Sequence, residues 1–322
     1  MALLKKLLGK LNGLHYSREY LCIAKETFEQ PLYVYLVNNK HIIKDITNHH
    51  LFVGYCPLIF ALPSFADVEL PNELHLIFSQ KLLQPNEPFL KKDAIASLNL
   101  KIIKQQQGEG STIFYYEGTK GSHSFLPMFS QWILSINNQL YNKRPGNVFL
   151  HNNLYKQVQV AYAIPRSIAL ITISSNTMFN LFPTDLHGQP DEANYIISLR
   201  TGGKALEQTE KSGRLLITKL HSDGYAMAYG LGKNHMQPLK AKDNFPFSPL
   251  LSQTFQWPLP QYVVAYKELA LQDSFTHGIH KILLFKMVSD VQVQAGATTL
   301  AHIHNSYATW RYKNKLPGNY LR

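Results

Sequence analysis

Between Ile164 and Leu220 the chain carries two strand-length apolar runs, Ser167 to Ile173 and Tyr195 to Leu199. A loop punctuated by Gly and Pro joins them, and a short amphipathic segment follows. Short apolar runs bounded by turn formers fit strands better than helices, which need ten or more periodic residues. The rest of the chain agrees, with 17 Phe, 18 Tyr and 3 Trp among many β-branched residues and recurrent Gly/Pro turns. Such side chains pack well on a pleated surface, so an all-helical fold is excluded and a mainly β protein with α+β elements is expected. At 322 residues the chain is long enough for two domains, each with its own core.

Cys22 and Cys56 are far apart and form no CxxC or zinc spacing, so the sequence predicts buried reduced thiols rather than a disulfide framework or metal knuckle. No run approaches the roughly 20 apolar residues of a membrane helix, and no cleavable signal is visible; a soluble cytoplasmic protein is expected. The net charge of +11, from 32 Lys and Arg against 21 Asp and Glu, suits an anionic partner or phosphate ligand. The charge is scattered and no nucleic-acid fold signature accompanies it, so nucleic acid is not an expected partner.

Met1 to Leu14 places Leu3, Leu4, Leu7, Leu8, Leu11 and Leu14 on one helical face opposite Lys5, Lys6 and Lys10, a cationic amphipathic helix expected to dock on protein. Strand-like runs follow at Leu32 to Val37, His41 to Ile46, Tyr55 to Leu62 and Leu74 to Phe78, with Asn38-Asn39 as a hairpin turn. A second hairpin is expected from Ser97 to Tyr116 around Gln107 to Gly110. Leu126 to Tyr141 reads as a helix with Phe129, Trp132, Ile133, Ile136 and Leu140 on its apolar face. These signals divide the chain into an N-terminal α+β module, 1–148, and a C-terminal domain, 149–322. The order of strands at 32–62 loosely echoes 167–199, which leaves the first module open to reading as a degenerate second barrel. Asn142 to Asn147 (NKRPGN) and Asn314 to Asn319 (NKLPGN) are the one matching phrase. Phe245 to Pro260 is Pro-rich and reads as an extended loop.

Three segments could carry chemistry. Asn180-Leu181-Phe182-Pro183-Thr184 offers an amide, a hydroxyl and main-chain groups where a strand ends, or is an ordinary polar strand end. Ser198-Leu199-Arg200-Thr201-Gly202-Gly203-Lys204 brings Arg, Thr and Lys with two glycines to the start of a helix near Ala205, an arrangement able to take an anion. It lacks the P-loop spacing, and its plain alternative is a solvated loop with Lys204 and Glu207 facing water. His280, in Thr276 to Val288, either hydrogen-bonds a ligand or is a satisfied structural histidine. His302 and His304 alternate along a strand-like run but lack a third ligand, so no metal is expected.

In order and spacing, Pro165 to Thr172, Asn180 to Thr184, Tyr195 to Leu199 and Lys204 to Thr218 resemble the core of the flavin reductase-like family, the FMN-binding split barrels. Thr276 to Val288 and Leu300 to Tyr307 resemble its closing strands. The resemblance covers residues near 155 to 312. It implies a C-terminal split β-barrel that binds FMN, phosphate held by Arg200, Thr201 and Lys204 beside Ser198, and the ring oriented by Asn180, Leu181, Phe182, Pro183 and Thr184. His280 is implied as the catalytic-site residue, near the flavin or nicotinamide. It further implies NADH or NADPH as co-substrate, an oxidoreductase activity and a homodimer with flavin at the subunit interface. Two departures bear on the pocket: Gln189 to Asn194 replace the family's Pro-Pro, and Asp185-Leu186-His187-Gly188 bring a carboxylate and an imidazole toward the cleft. The alternative function is an interaction scaffold, flavin-binding without catalysis or flavin-free.

Overall fold

A computed structural model of the protein describes residues 13–16, 20–26, 28, 30–38, 41–85, 88–142, 150, 153–318, 320 and 321. Most of the N-terminal amphipathic segment and the Pro145-Gly146 stretch of the expected domain boundary lie outside them.

The described chain begins with β1 (Leu21–Lys25), then β2 (Tyr33–Asn38), β3 (His41–Asp45), β4 (Leu51–Gly54), β5 (Ile59–Pro63) and β6 (Glu73–Ser79). The long hairpin β7 (Ala94–Gln107) and β8 (Thr112–His123) precedes helices α1 (Met128–Asn142) and α2 (Leu154–Ala161). The C-terminal part opens with β9 (Arg166–Ser167), β10 (Ala169–Ser175), β11 (Met178–Thr184), β12 (His187–Gly188) and β13 (Asn194–Arg200). Helix α3 (Lys204–Ser212), β14 (Arg214–Leu220) and α4 (Tyr225–Gly230) follow, then β15 (Lys240–Ala241), β16 (Phe247–Leu251) and β17 (Pro258–Pro260). A second long hairpin, β18 (Val263–His277) and β19 (His280–Gln292), leads to β20 (Leu300–His304) and α5 (Asn305–Lys313). The protein is mainly β, as the composition predicts. The Pro-rich stretch is not wholly extended loop: its apolar ends pair as the β16–β17 ribbon.

The two large antiparallel sheets have one topology. The first runs β3-β2-β6-β7-β8-β5-β4, and the second runs β11-β10-β14-β18-β19-β13-β12, with β15 added at the β11 edge. Counted within each half, both follow the order second, first, fifth, sixth, seventh, fourth, third. The registers agree at the working edge: β5 pairs with β8 out to Pro63↔Ile113, and β13 pairs with β19 out to Arg200↔His280. Just beyond, Ser64 donates its N–H to the Thr112 carbonyl and Thr201 to that of Ile279, at 2.8 and 2.9 Å. The echo between 32–62 and 167–199 is thus a repeat of the whole sheet. Asn142, which begins the first matching phrase, is the last residue of α1, and Asn314, which begins the second, directly follows α5.

Strand alternation builds three layers of apolar contact. Ile171, Ile173, Phe182, Ile197, Leu199, Leu215, Ile217, Leu269, Leu283 and Phe285 fill the C-terminal barrel. Val34, Leu36, Phe60, Leu62, Leu76, Phe78 and Leu98 belong to the core of the N-terminal half. Between the sheets, the opposite faces of the same strands meet through Val53, Ile59, Ala61, Ile113, Tyr115, Ile196, Ile282 and Leu284, each at most 1% exposed. Because side chains alternate across a strand, one strand serves both its own core and this seam. A further sheet, β1-β20-β9, ties the first described strand to the last.

Helix α1 forms where periodicity predicts but docks differently. Phe129, Trp132 and Ile136 are exposed, while Leu134 is buried. The Gln131 amide fixes this orientation by donating to the carbonyls of His123 and Leu126 at 3.0 and 2.8 Å.

Candidate functional site

Hairpin tips make the two junctions between the halves. At the first, the β18–β19 turn lies on the β4–β5 loop: Ile279 donates its N–H to the Cys56 carbonyl at 3.2 Å. Gly278 makes this approach possible. Its φ is +59°, and an added Cβ would sit 2.2 Å from the Cys56 oxygen and 2.3 Å from Pro57 Cδ, so both backbone angle and space require glycine.

The outward faces of β13 and β19 line this junction with Ser198, Arg200 and His280, where Arg200 and His280 are a cross-strand pair. Ser198 and His280 are 3% and 4% exposed. The Ser198 hydroxyl and both imidazole nitrogens nevertheless make no well-formed hydrogen bond among the described residues, although the Tyr55 main chain lies alongside and favours the protonated ring. The Tyr55 ring meets the imidazole edge-on, centroids 5.3 Å apart. Burial, and then the positive charge of Arg200, push the His280 pKa down to about 4, so the ring is neutral at physiological pH. Burial likewise pushes the Cys56 thiol up to about 11, opposed by Arg200. Arg200 is exposed and joins no ion pair with the described residues.

The carboxylate that the sequence places here, Asp185, faces the same region. Its Oδ2 accepts from Tyr162 Oη at 3.0 Å and contacts His302 Nδ1 at 2.7 Å. Burial raises its pKa, but these bonds more than offset it and the carboxyl is held below its usual range. The Ser198 N–H binds the Leu186 carbonyl at 2.9 Å, tying the 185–188 loop to β13. Tyr20, 47% exposed, lies near Tyr55 and Asp185. His187 turns away: its nitrogens lie 2.8 Å from Tyr195 Oη and 3.0 Å from the Ser167 carbonyl oxygen. Behind the loop is a cavity of about 490 Å³ lined in part by His50, Arg166, Asp185, His187, Tyr195 and Lys219.

The residues singled out from the sequence therefore separate into groups. Ser198, Arg200, Thr201 and His280 come together, with Thr201 Oγ1 donating to the Ile279 carbonyl at 3.0 Å. Lys204 opens α3 and is paired with Glu207 at 2.9 Å. Asn180 is consumed inside the fold: Nδ2 donates to Gln208 Oε1 and the Asn234 carbonyl at 2.7 and 3.1 Å, and Oδ1 accepts from the Leu181 N–H. Leu181 and Phe182 are core residues on opposite faces of β11. Pro183 and Thr184 are half-buried at the strand end before Asp185. Tyr55, Tyr20 and Tyr162 were not singled out by sequence reasoning; only recognition of the full repeat would have aligned the β4–β5 loop with the cleft.

No family model and no curated protein matches this chain. Among solved structures, it is similar to an NADH:FAD oxidoreductase of Streptomyces globisporus, at 13% identity over 51% of this chain and 96% of the other, TM-score 0.41. It is also similar to an FMN-binding protein of Thermus thermophilus, at 15% over 51% and 94%, TM-score 0.38. A third likeness is to the styrene monooxygenase flavin reductase of Pseudomonas putida, at 15% over 51% and 97%, TM-score 0.37. Among the described residues, no helix is long and apolar enough to cross a membrane.

Proposed function

We propose that the protein is an FMN-binding, flavin reductase-like oxidoreductase that takes hydride from NADH or NADPH, or passes electrons to an acceptor. The observation that carries this reading is the pair of buried side chains that make no well-formed hydrogen bond among the described residues, Ser198 and His280, beside an exposed Arg200 that joins no ion pair there. Leaving buried polar atoms unsatisfied costs about 1–3 kcal/mol each, so a polar ligand that completed the bonds of Ser198 and His280 would gain from it. The sequence resemblance of these same positions to the flavin reductase-like family makes FMN the ligand of choice.

In this reading Arg200, Thr201 and Lys204 hold phosphate through charge-assisted bonds, Lys204 exchanging its exposed Glu207 partner for the anion. Ser198 and neutral His280 bind the polar edge of the ring system. Because His280 stays unprotonated well below neutrality, it orients through hydrogen bonds rather than supplying a proton. Bound flavin would supply the hydride and electron chemistry. Tyr55 and the Asp185–Tyr162 pair would border the bound ligand. Titrating the purified protein with FMN and following the visible spectrum tests this: saturable micromolar binding, lost in an Arg200→Ala/Lys204→Ala variant that stays folded, supports it. Absence of binding leaves the interaction-scaffold function. NADH and NADPH oxidation with saturating FMN then tests catalysis.

A further inference from the structure

The repeat makes the N-terminal half a counterpart of the C-terminal half, and the two meet as an isologous pair would. Each half lays its hairpin tip on the other's loop between its third and fourth strands: Ile279 on Cys56, and Glu109 and Ser111 on Asn194 and Asp191. Reciprocal contact of this kind is the mark of a two-fold interface between like units, here contained in one chain. The two junctions are not equal in chemistry. By the registers of the paired strands, Ser198, Arg200 and His280 stand where the first half has Ala61, Pro63 and Ile113.

We propose that the N-terminal half is a second subunit built into the chain, and that the protein is a monomer with one nucleotide-binding site. That site is composite, with Ser198, Arg200 and His280 from one half and Tyr55 from the other. The inference rests on the flavin reading for the ligand but not for the architecture. The Tyr55 ring, already against His280, is the wall a ligand ring would meet; its counterpart place offers no polar set to bind against. The second-subunit role that the sequence assigned to another copy is thereby filled in cis.

The test is a flavin-fluorescence titration of the full chain with FMN, together with its mass by light scattering. The expected results are one FMN per chain and a mass of 36.8 kDa. Tyr55→Ala weakens FMN roughly three- to tenfold, and Tyr55→Phe restores it. Two FMN per chain, or an unchanged affinity in a folded Tyr55→Ala protein, overturns the composite single site. A stable dimer overturns the built-in subunit. If FMN does not bind at all, the flavin reading and the site fall, whereas a monomer mass still supports the built-in subunit, so the two failures are distinguishable.

Discussion

At one junction between the halves the tip of the β18–β19 hairpin lies on Cys56 and Pro57; at the other the tip of β7–β8 lies on Asp191 to Asn194. The second is chemically closed. Asn194, fully buried, exchanges hydrogen bonds with the Glu109 main chain at 3.1 and 3.0 Å, and Asp191 accepts from Ser111 and from the N–H groups of Ala193 and Asn194. The strand ends beside it are Ala61, Pro63 and Ile113, all buried and apolar. The first has Ser198, Arg200 and His280 at those places, where the Ser198 hydroxyl and the His280 nitrogens make no well-formed hydrogen bond among the described residues. One strand order is built both ways in one molecule. The architecture therefore does not require polar side chains at these positions.

The largest expected effect is acid loosening of the seam. His50, His187 and His280 are pushed down to about 3, 4 and 4, burial being the first cause in each. The unfolded chain, with histidines near 6.5, takes up protons first as pH falls. Stability is thus full above about pH 6.5 and declines below it, the part from His187 and His280 down to about 4 and that from His50 down to about 3, each unit of separation being worth about 1.4 kcal/mol. Urea denaturation at pH 7 and pH 4.5 measures it, and His280→Gln should flatten the slope; equal midpoints at the two pH values would refute the neutral histidines.

Gly278→Ala comes next. Its Cβ strikes main chain at the first junction, and a loss of about 3 kcal/mol or more is expected. Gly110→Ala, at φ +91° with nothing within 4 Å of its Cβ, should cost only about 1 kcal/mol. Similar losses for the two would show that the contact of Gly278 with Cys56 and Pro57 adds nothing to the cost of its backbone angle.

Arg200→Ala should weaken FMN by about 1.5–3 kcal/mol, the worth of a hydrogen bond to a charged group, with a melting temperature close to wild type because the side chain is exposed. Calorimetric titration decides, and an unaltered affinity removes Arg200 from the site. Effects of similar or smaller size come from exchanging the junctions' chemistry. Ala61→Ser plants an unsatisfied hydroxyl and should cost about 1–3 kcal/mol, whereas Ser198→Ala should leave the ligand-free protein as stable or slightly more so. A stability loss on Ser198→Ala would mean that the hydroxyl already has a structural partner.

Much of the fold can be read along the chain, because strand alternation and turn chemistry are local. The hairpins around Asn38-Asn39 and Gln107 to Gly110, the helix after Phe125 and the helix after Gly203 all lie near their expected places. The repeat was legible only as an echo, since packing preserves which face is apolar, not which residue provides it. Phe60 and Ile197 do the same inward work with different side chains. The exposed face of α1 was misplaced for a related reason: periodicity identifies an apolar stripe but not the neighbour that covers it, and the Gln131 hydrogen bonds set the rotation.

What the sequence determined by itself is the β-rich character and the strand ends that present Ser198, Arg200, Thr201 and His280. These follow from side-chain type and spacing over a few residues. What only the tertiary structure decided is which of those residues meet, that Asn180 is spent inside the fold, and that Tyr55 faces His280 from more than 200 positions away. Those outcomes depend on the packing of two sheets against each other, and long-range packing is written in the sum of many apolar contacts rather than in any motif.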